Sequence, residues 1–146
     1  MNIICFIPAR MGSSRFPGKP LKKIKGIPMI EHVYKRANLS KSINKVVVAT
    51  PDKEIAEYVG SFGGNVVMTA STHERASDRC AEALLIQEKK DSIRYDIVVM
   101  VQGDEPLVHP LMLDEAIEAI KGDKNVKVVN LLGNLTKEEF KDKNII

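Results

Sequence analysis

Apolar residues along this chain fall into short β-branched runs separated by stretches of helical period. The first run, Asn2 to Ile7, is rich in isoleucine and too short for a helix, so it predicts a strand buried on both faces. It stops at Pro8 and gives way to a polar, glycine-bearing stretch that lasts to about Gly26. From Met29 to Leu39, Ile30, Val33, Tyr34 and Ala37 recur at helical spacing and predict a helix with one apolar face. Lys45 to Ala49 is a second strand-like run. Asp52 is placed to N-cap a helix carrying Ile55, Ala56 and Val59, which Gly63 and Gly64 close. Asn65 to Met68 predicts a third strand, and Ser77 to Glu88 a helix with Cys80, Ala81, Leu84 and Leu85 on its buried side. Ile97 to Val101 is the most continuous strand and runs straight into Gln102-Gly103-Asp104-Glu105-Pro106, before a last helix over Pro110 to Ile120. The pattern weakens after Lys127 to Leu132. Asn144-Ile145-Ile146 reads as the opening of another strand, so the chain is expected to be truncated.

Strands alternating with helices predict an α/β fold, with right-handed crossovers and a mostly parallel sheet covered by helices on both faces. In such sheets ligands bind beyond the carboxyl ends of the strands. The two most polar loops that follow strands, Ala9 to Lys19 and Gln102 to Pro106, are both expected at that edge. No repeat, low-complexity tract or linker interrupts the chain, and residues 1–146 read as one domain.

Composition narrows the functional classes. With 22 basic and 19 acidic residues the net charge is +3, too balanced for a protein that coats nucleic acid but compatible with a small anionic ligand. Hydrophobic residues make up 44% of the chain, enough for a core without disulfides or a structural metal. Cys5 and Cys80 lack metal-ligand spacing and read as core thiols. No secretory pattern opens the chain and no apolar run reaches membrane-spanning length, so no membrane partner and a cytoplasmic location are expected.

Three stretches carry candidate chemistry. Ile7 to Leu21, IPARMGSSRFPGKPL, places Arg10, Arg15 and Lys19 on one loop with Gly12, Ser13, Ser14 and Gly18. Small residues let backbone N–H groups approach a ligand, and three cations can neutralise a triphosphate. It is not a Walker A loop, because Pro20 stands where that motif needs Ser or Thr after Lys19. The plainer reading is a solvated basic loop. In the second stretch, VQGDEP, a carboxylate directly after a buried strand can bind a hard cation such as Mg²⁺, with Asp104 the better candidate and Glu105 the second. Alternatively, both carboxylates simply begin a turn before Pro106; pairing with the basic loop on one sheet edge favours the functional reading. The third stretch, STHERASDRCAE from Ser71 to Glu82, enters a helix that Ser77 can cap and whose dipole Asp78 suits. His73, alone on a loop, reads as an exposed bystander. No arrangement here supports a covalent nucleophile.

The opening signature, the run from Val48 to Pro51 and VQGDEP together resemble the 3-deoxy-manno-octulosonate cytidylyltransferases, and the resemblance covers nearly all of the chain. It implies a Rossmann-like fold and Mg²⁺-dependent transfer of CMP from CTP to an acidic sugar, with pyrophosphate released. A related sugar acid, or CTP binding without turnover, are the alternatives. By the same resemblance Arg10, Arg15 and Lys19 would hold the triphosphate, with Arg10, Lys19 and Asp104 as the catalytic groups. Gly12 and Ser13 would belong to the phosphate loop. Ala9 and Arg10 with the Ser71 to Arg79 segment, including Ser77 and Arg79, would surround cytosine; Gln102 would face nucleotide or sugar, and Asp104 would bind Mg²⁺. Two departures stand out. Arg75 and Ala76 replace the family's small Ser-Gly pair, which bears on base selectivity. The sugar-binding residues, dimer-forming region and second metal-binding aspartate that the family carries further along are expected to be missing.

Overall fold

The computed structural model describes residues 1–12, 16–134, 136–138 and 141. Its centre is a four-stranded parallel sheet of β1 (Ile3–Pro8), β4 (Lys45–Thr50), β5 (Val66–Met68) and β6 (Ile97–Met100), ordered β5-β4-β1-β6. Between β1 and β4 the chain forms a single 3-10 turn (Lys19–Leu21), a small antiparallel hairpin of β2 (Lys23–Ile24) and β3 (Ile27–Pro28), and α1 (Met29–Ala37). Helices α2 (Lys53–Ser61), α3 (Ala76–Asp91) and α4 (Pro110–Gly122) complete the described elements. The 3-10 turn and the hairpin lie inside what the sequence presents only as a polar loop; each is too short to leave a periodic signal.

The alternation of the two inner strands divides the core. Cys5, Ile7, Val46 and Val48 point to one face and pack with Ile30 and Val33 of α1, Ile55 and Val59 of α2 and Leu113 of α4. Ile4, Phe6, Val47 and Ala49 point to the other face and meet Cys80 and Ala83 of α3. Burying each such large side chain contributes about 1.5–3 kcal/mol. Both thiols are buried and free, and burial pushes Cys5 up to about 12 and Cys80 up to about 11, as inert core cysteines require.

Helices α1 and α2 thus cover one face, whereas α3 crosses the other as the chain passes from β5 at one edge to β6 at the opposite edge. This reversal makes the gap between β1 and β6 the topological switch point, where the loops leaving two neighbouring strands diverge and open a crevice.

Helices lie on both faces of the sheet as expected, with α1, α2 and α4 on one side and α3 on the other. Helix α3 packs on β1, β4 and β5, and on its side Val98 and Met100 of the edge strand β6 stay 41% and 45% exposed. Two expectations need correction. The buried stripe of α3 is Arg79, Cys80, Ala83 and Gln87, while Ala81 and Leu85 face solvent and Leu84 is only partly buried. The pattern misled because two of the stripe's positions are polar residues satisfied by hydrogen bonds. Finally, α3 begins one residue earlier than expected, with Arg75 at the N-cap and no side-chain cap, so Ser77 lies in the first turn, exposed. The expected strand at 144–146 lies outside the described residues.

Candidate functional site

The two strands flanking the switch point deliver the two polar loops to one place. Hydrogen bonding continues past each strand end, with Ala9 donating to the Ala49 carbonyl at 3.0 Å and Val101 donating to the Phe6 carbonyl at 3.0 Å. The first turns of both loops are therefore held as firmly as the sheet itself. They also approach each other closely. A Cβ on Gly103 would lie 2.8 Å from the Pro8 carbonyl oxygen, so only glycine permits this contact.

Beyond Ala9, the Met11 N–H donates to the Asp52 carboxylate at 2.7 Å. Asp52 does occupy the N-cap position of α2, but its side chain makes no cap and is spent on the loop instead. The loop then closes on itself as Gly18, left-handed at φ 71°, donates to the Met11 carbonyl at 2.9 Å. That turn presents Lys19 back across the crevice, where its ammonium donates to Asp104 at 2.8 Å. On the far side, the Arg36 Nε donates to the Val108 carbonyl at 2.7 Å and ties the end of the 102–108 loop to α1.

The third wall is the segment ahead of α3. Arg79 is only 3% exposed, and its guanidinium donates to Thr69 Oγ1 at 2.6 Å, to the Ala70 carbonyl at 3.1 Å and to the His73 carbonyl at 3.3 Å. Burial, and then the neighbouring Arg10, hold its pKa below the ordinary arginine value. His73 is no bystander: it pairs with Glu82 at 2.5 Å.

Between these walls lies an open cavity of about 840 Å³. It is lined by Pro8, Ala9, Arg10, Phe16, Lys19 and Pro20 from the first loop, by His73, Glu74, Arg75, Ala76 and Arg79 from the third wall, and by Gln102, Gly103, Asp104 and Glu105. All three stretches singled out in the sequence meet here. Arg10, Lys19, Arg75 and Arg79 face Glu74, Asp104 and Glu105 across it, a small excess of positive charge that suits an anionic ligand. Of the residues singled out in the sequence, Ala9, Arg10, Lys19, Arg79, Gln102 and Asp104 line this cavity. Ser77 and Gly12 do not line the cavity, and Ser13 and Arg15 lie outside the described residues. Sequence reasoning missed Asp52, Gly103 and Glu82. Of these only Gly103 leaves a signal, a glycine immediately after a buried strand.

The cavity's donors suit a hard cation in one specific manner. Among the described residues no three carboxylate, histidine or cysteine groups converge on a metal site. Asp104, with a side chain 49% exposed, is free to exchange its Lys19 contact for another cation. One carboxylate, with Glu105 beside it and the rest of the shell from ligand phosphates and water, is the usual way Mg²⁺ is held.

Comparison with known proteins identifies the family. A family model described as cytidylyltransferase matches residues 4–145. The 3-deoxy-manno-octulosonate cytidylyltransferase of Thermodesulfovibrio yellowstonii is 46% identical over the whole of this chain, which spans 58% of that relative. An 8-amino-3,8-dideoxy-manno-octulosonate cytidylyltransferase of Shewanella putrefaciens is 50% identical over 80% of this chain and 46% of its own length. Among solved structures, a CMP:2-keto-3-deoxy-manno-octonic acid synthetase complexed with CTP superposes with a TM-score of 0.77 at 39% identity, over 85% of this chain and 49% of that one. The chain spans about half the length of the curated relatives it matches. Its motifs, its fold and its matched length together assign it to one family: the chain belongs to the cytidylyltransferases.

Proposed function

We propose that this chain is the CTP-binding part of an enzyme that transfers CMP from CTP to 3-deoxy-manno-octulosonate and releases pyrophosphate. The observation that carries the reading is the meeting of the Arg10–Lys19 loop, the 73–79 segment and the Gln102–Glu105 loop around one cavity at the switch point. In this reading a hydroxyl of the sugar acid attacks the α-phosphorus in line, and positioning supplies most of the rate. Arg10 and Lys19 hold the triphosphate and neutralise the charge that builds on the departing pyrophosphate. Ala9 and the 73–79 segment enclose the base, and Gln102 orients the nucleotide or the sugar. Mg²⁺ bound by Asp104, with Glu105 in reserve, would supply charge neutralisation at the phosphates. Lys19 leaves Asp104 for the phosphates as the ligand enters.

Among the described residues no helix is long and apolar enough to cross a membrane; the location we propose for this reaction is the cytoplasm. A second substrate, the 8-amino-3,8-dideoxy sugar acid, is supported by the Shewanella relative's identity of 50%. A coupled pyrophosphate assay with CTP, Mg²⁺ and each sugar acid tests the proposal. Sugar-dependent release names the substrate. CTP binding without release, even when the chain is joined to the remaining length that its relatives have, makes it a binding module. Absence of CTP binding overturns the reading.

A further inference from the structure

The segment that forms the third wall has no regular structure between Thr69 and Arg75, yet it is held at defined points by two side chains of the helix that follows it. Arg79 and Glu82 stand three residues apart on α3, on neighbouring turns of one face. Glu82 Oε2 accepts from the Ala70 N–H at 2.9 Å and from His73 Nε2 at 2.5 Å. Arg79 takes the carbonyl of the same Ala70 at 3.1 Å and that of His73 at 3.3 Å. Ala70 is thereby gripped at its N–H and its C=O, and His73 at its ring and its carbonyl, by opposite charges anchored one turn apart. The Ala70 and His73 contacts hold Glu82 below the usual carboxylate range, so it stays anionic. Arg79 is buried and makes three hydrogen bonds to Thr69, Ala70 and His73, and Glu82 is not among the residues lining the cavity.

We propose that Glu82 is a positioning residue for the nucleotide base: with Arg79 it staples residues 69–73 to α3 and thereby sets where His73 to Ala76 stand in the cavity. The proposal rests on the reading of that cavity as the CTP site. It assigns Arg79 a different task from the direct base contact expected of it. A wall read through backbone groups and short side chains discriminates bases only if its atoms are held to within fractions of an ångström, which a segment without a ladder of its own cannot do unaided.

Amide hydrogen exchange and CTP calorimetry on wild type, Glu82→Ala and Glu82→Gln test this together, with inorganic tripolyphosphate as a ligand that lacks a base. Glu82→Ala is expected to speed exchange at Ala70 at least about tenfold, the loss of one charge-assisted hydrogen bond, and to leave exchange in β1 and β4 unchanged. CTP affinity should fall by about tenfold on the same grounds, while tripolyphosphate affinity stays as in wild type. Glu82→Gln keeps an acceptor for Ala70 and should recover most of both effects. Unchanged exchange at Ala70 would remove the staple. Faster exchange with unchanged CTP affinity, or equal losses for CTP and tripolyphosphate, would overturn the positioning role. Wild type that binds tripolyphosphate but shows no preference for CTP would instead sink the nucleotide reading beneath it.

Discussion

The two ends of the sheet use the same kinds of residue to opposite purposes. At the amino ends of the strands, Asp91 receives both contacts of the Lys45 ammonium at 2.7 Å, the Tyr95 hydroxyl at 2.6 Å and the Gln87 amide at 2.8 Å. Its side chain is 17% exposed and every neighbour is committed to it. At the carboxyl ends, Asp104 has one side-chain contact among the described residues, Lys19, and both side chains remain substantially open. A carboxylate surrounded by its own partners is part of the fold. One that shares a single exposed cation at the mouth of a cavity contributes little to stability and is available to a ligand.

The sharpest way to break this comparison is to remove the lysine from each end. Lys19→Ala should weaken CTP binding by about 1.5–3 kcal/mol, the range for hydrogen bonds to charged groups, and leave the melting temperature nearly unchanged. Lys45→Ala should do the reverse, lowering stability by about 1.5–3 kcal/mol with CTP affinity intact. Calorimetry and thermal melts on both variants decide it, and a loss of CTP affinity in Lys45→Ala would erase the distinction.

A smaller effect is expected where backbone, not charge, builds the site. In Gly103→Ala the added Cβ meets the Pro8 carbonyl at 2.8 Å and must push the two loops apart. The cost is about 1–3 kcal/mol, with a several-fold loss of CTP affinity. Equal affinity and stability in this variant would show that the loops need not touch.

Acid distinguishes the ends next. Contacts with Lys45, then Tyr95 and Gln87, lower Asp91 from 3.8 to about 2. A depressed carboxylate stabilises the fold fully above its unfolded value and loses that contribution as pH falls through its folded one. The stability due to Asp91, up to about 2 kcal/mol by linkage, should therefore be intact above pH 4 and disappear between roughly pH 4 and 2. Denaturant titrations across that window should show a shallower fall for Lys45→Ala than for wild type.

The least disruptive change concerns the third wall. Arg75→Ser with Ala76→Gly should shift the ratio of CTP to UTP affinity by a few-fold, since a guanidinium at the cavity wall adds charge and bulk that the small pair lacks. An unchanged ratio in competition binding would place base recognition elsewhere.

Much of the site's address was legible in the chain. Periodicity gave the alternation of strands and helices, and the polarity of the loops after Pro8 and Val101 pointed to their shared edge. What it could not give depends on pairing across distance. Arg79 and Gln87 interrupt an apolar stripe yet are buried, because their partners, Thr69 and Ala70 for one and Asp91 for the other, are set by the fold. Asp52 has a capping residue's sequence signature, but the Met11 N–H of the loop after the neighbouring strand β1 claims its carboxylate. The partial exposure of Val98 and Met100 on β6 left no sign because they are as apolar as the buried residues they alternate with.

The central claim, that the loops after β1 and β6 and the segment before α3 form one CTP site, is tested most directly by backbone amide shifts during a titration with CTP and Mg²⁺. The account predicts that residues 9–12, 73–79 and 102–105 shift together along one binding curve, with Gln87, Asp91 and Tyr95 unmoved. Shifts centred on Gln87 to Tyr95, or separate curves for the three stretches, would contradict it.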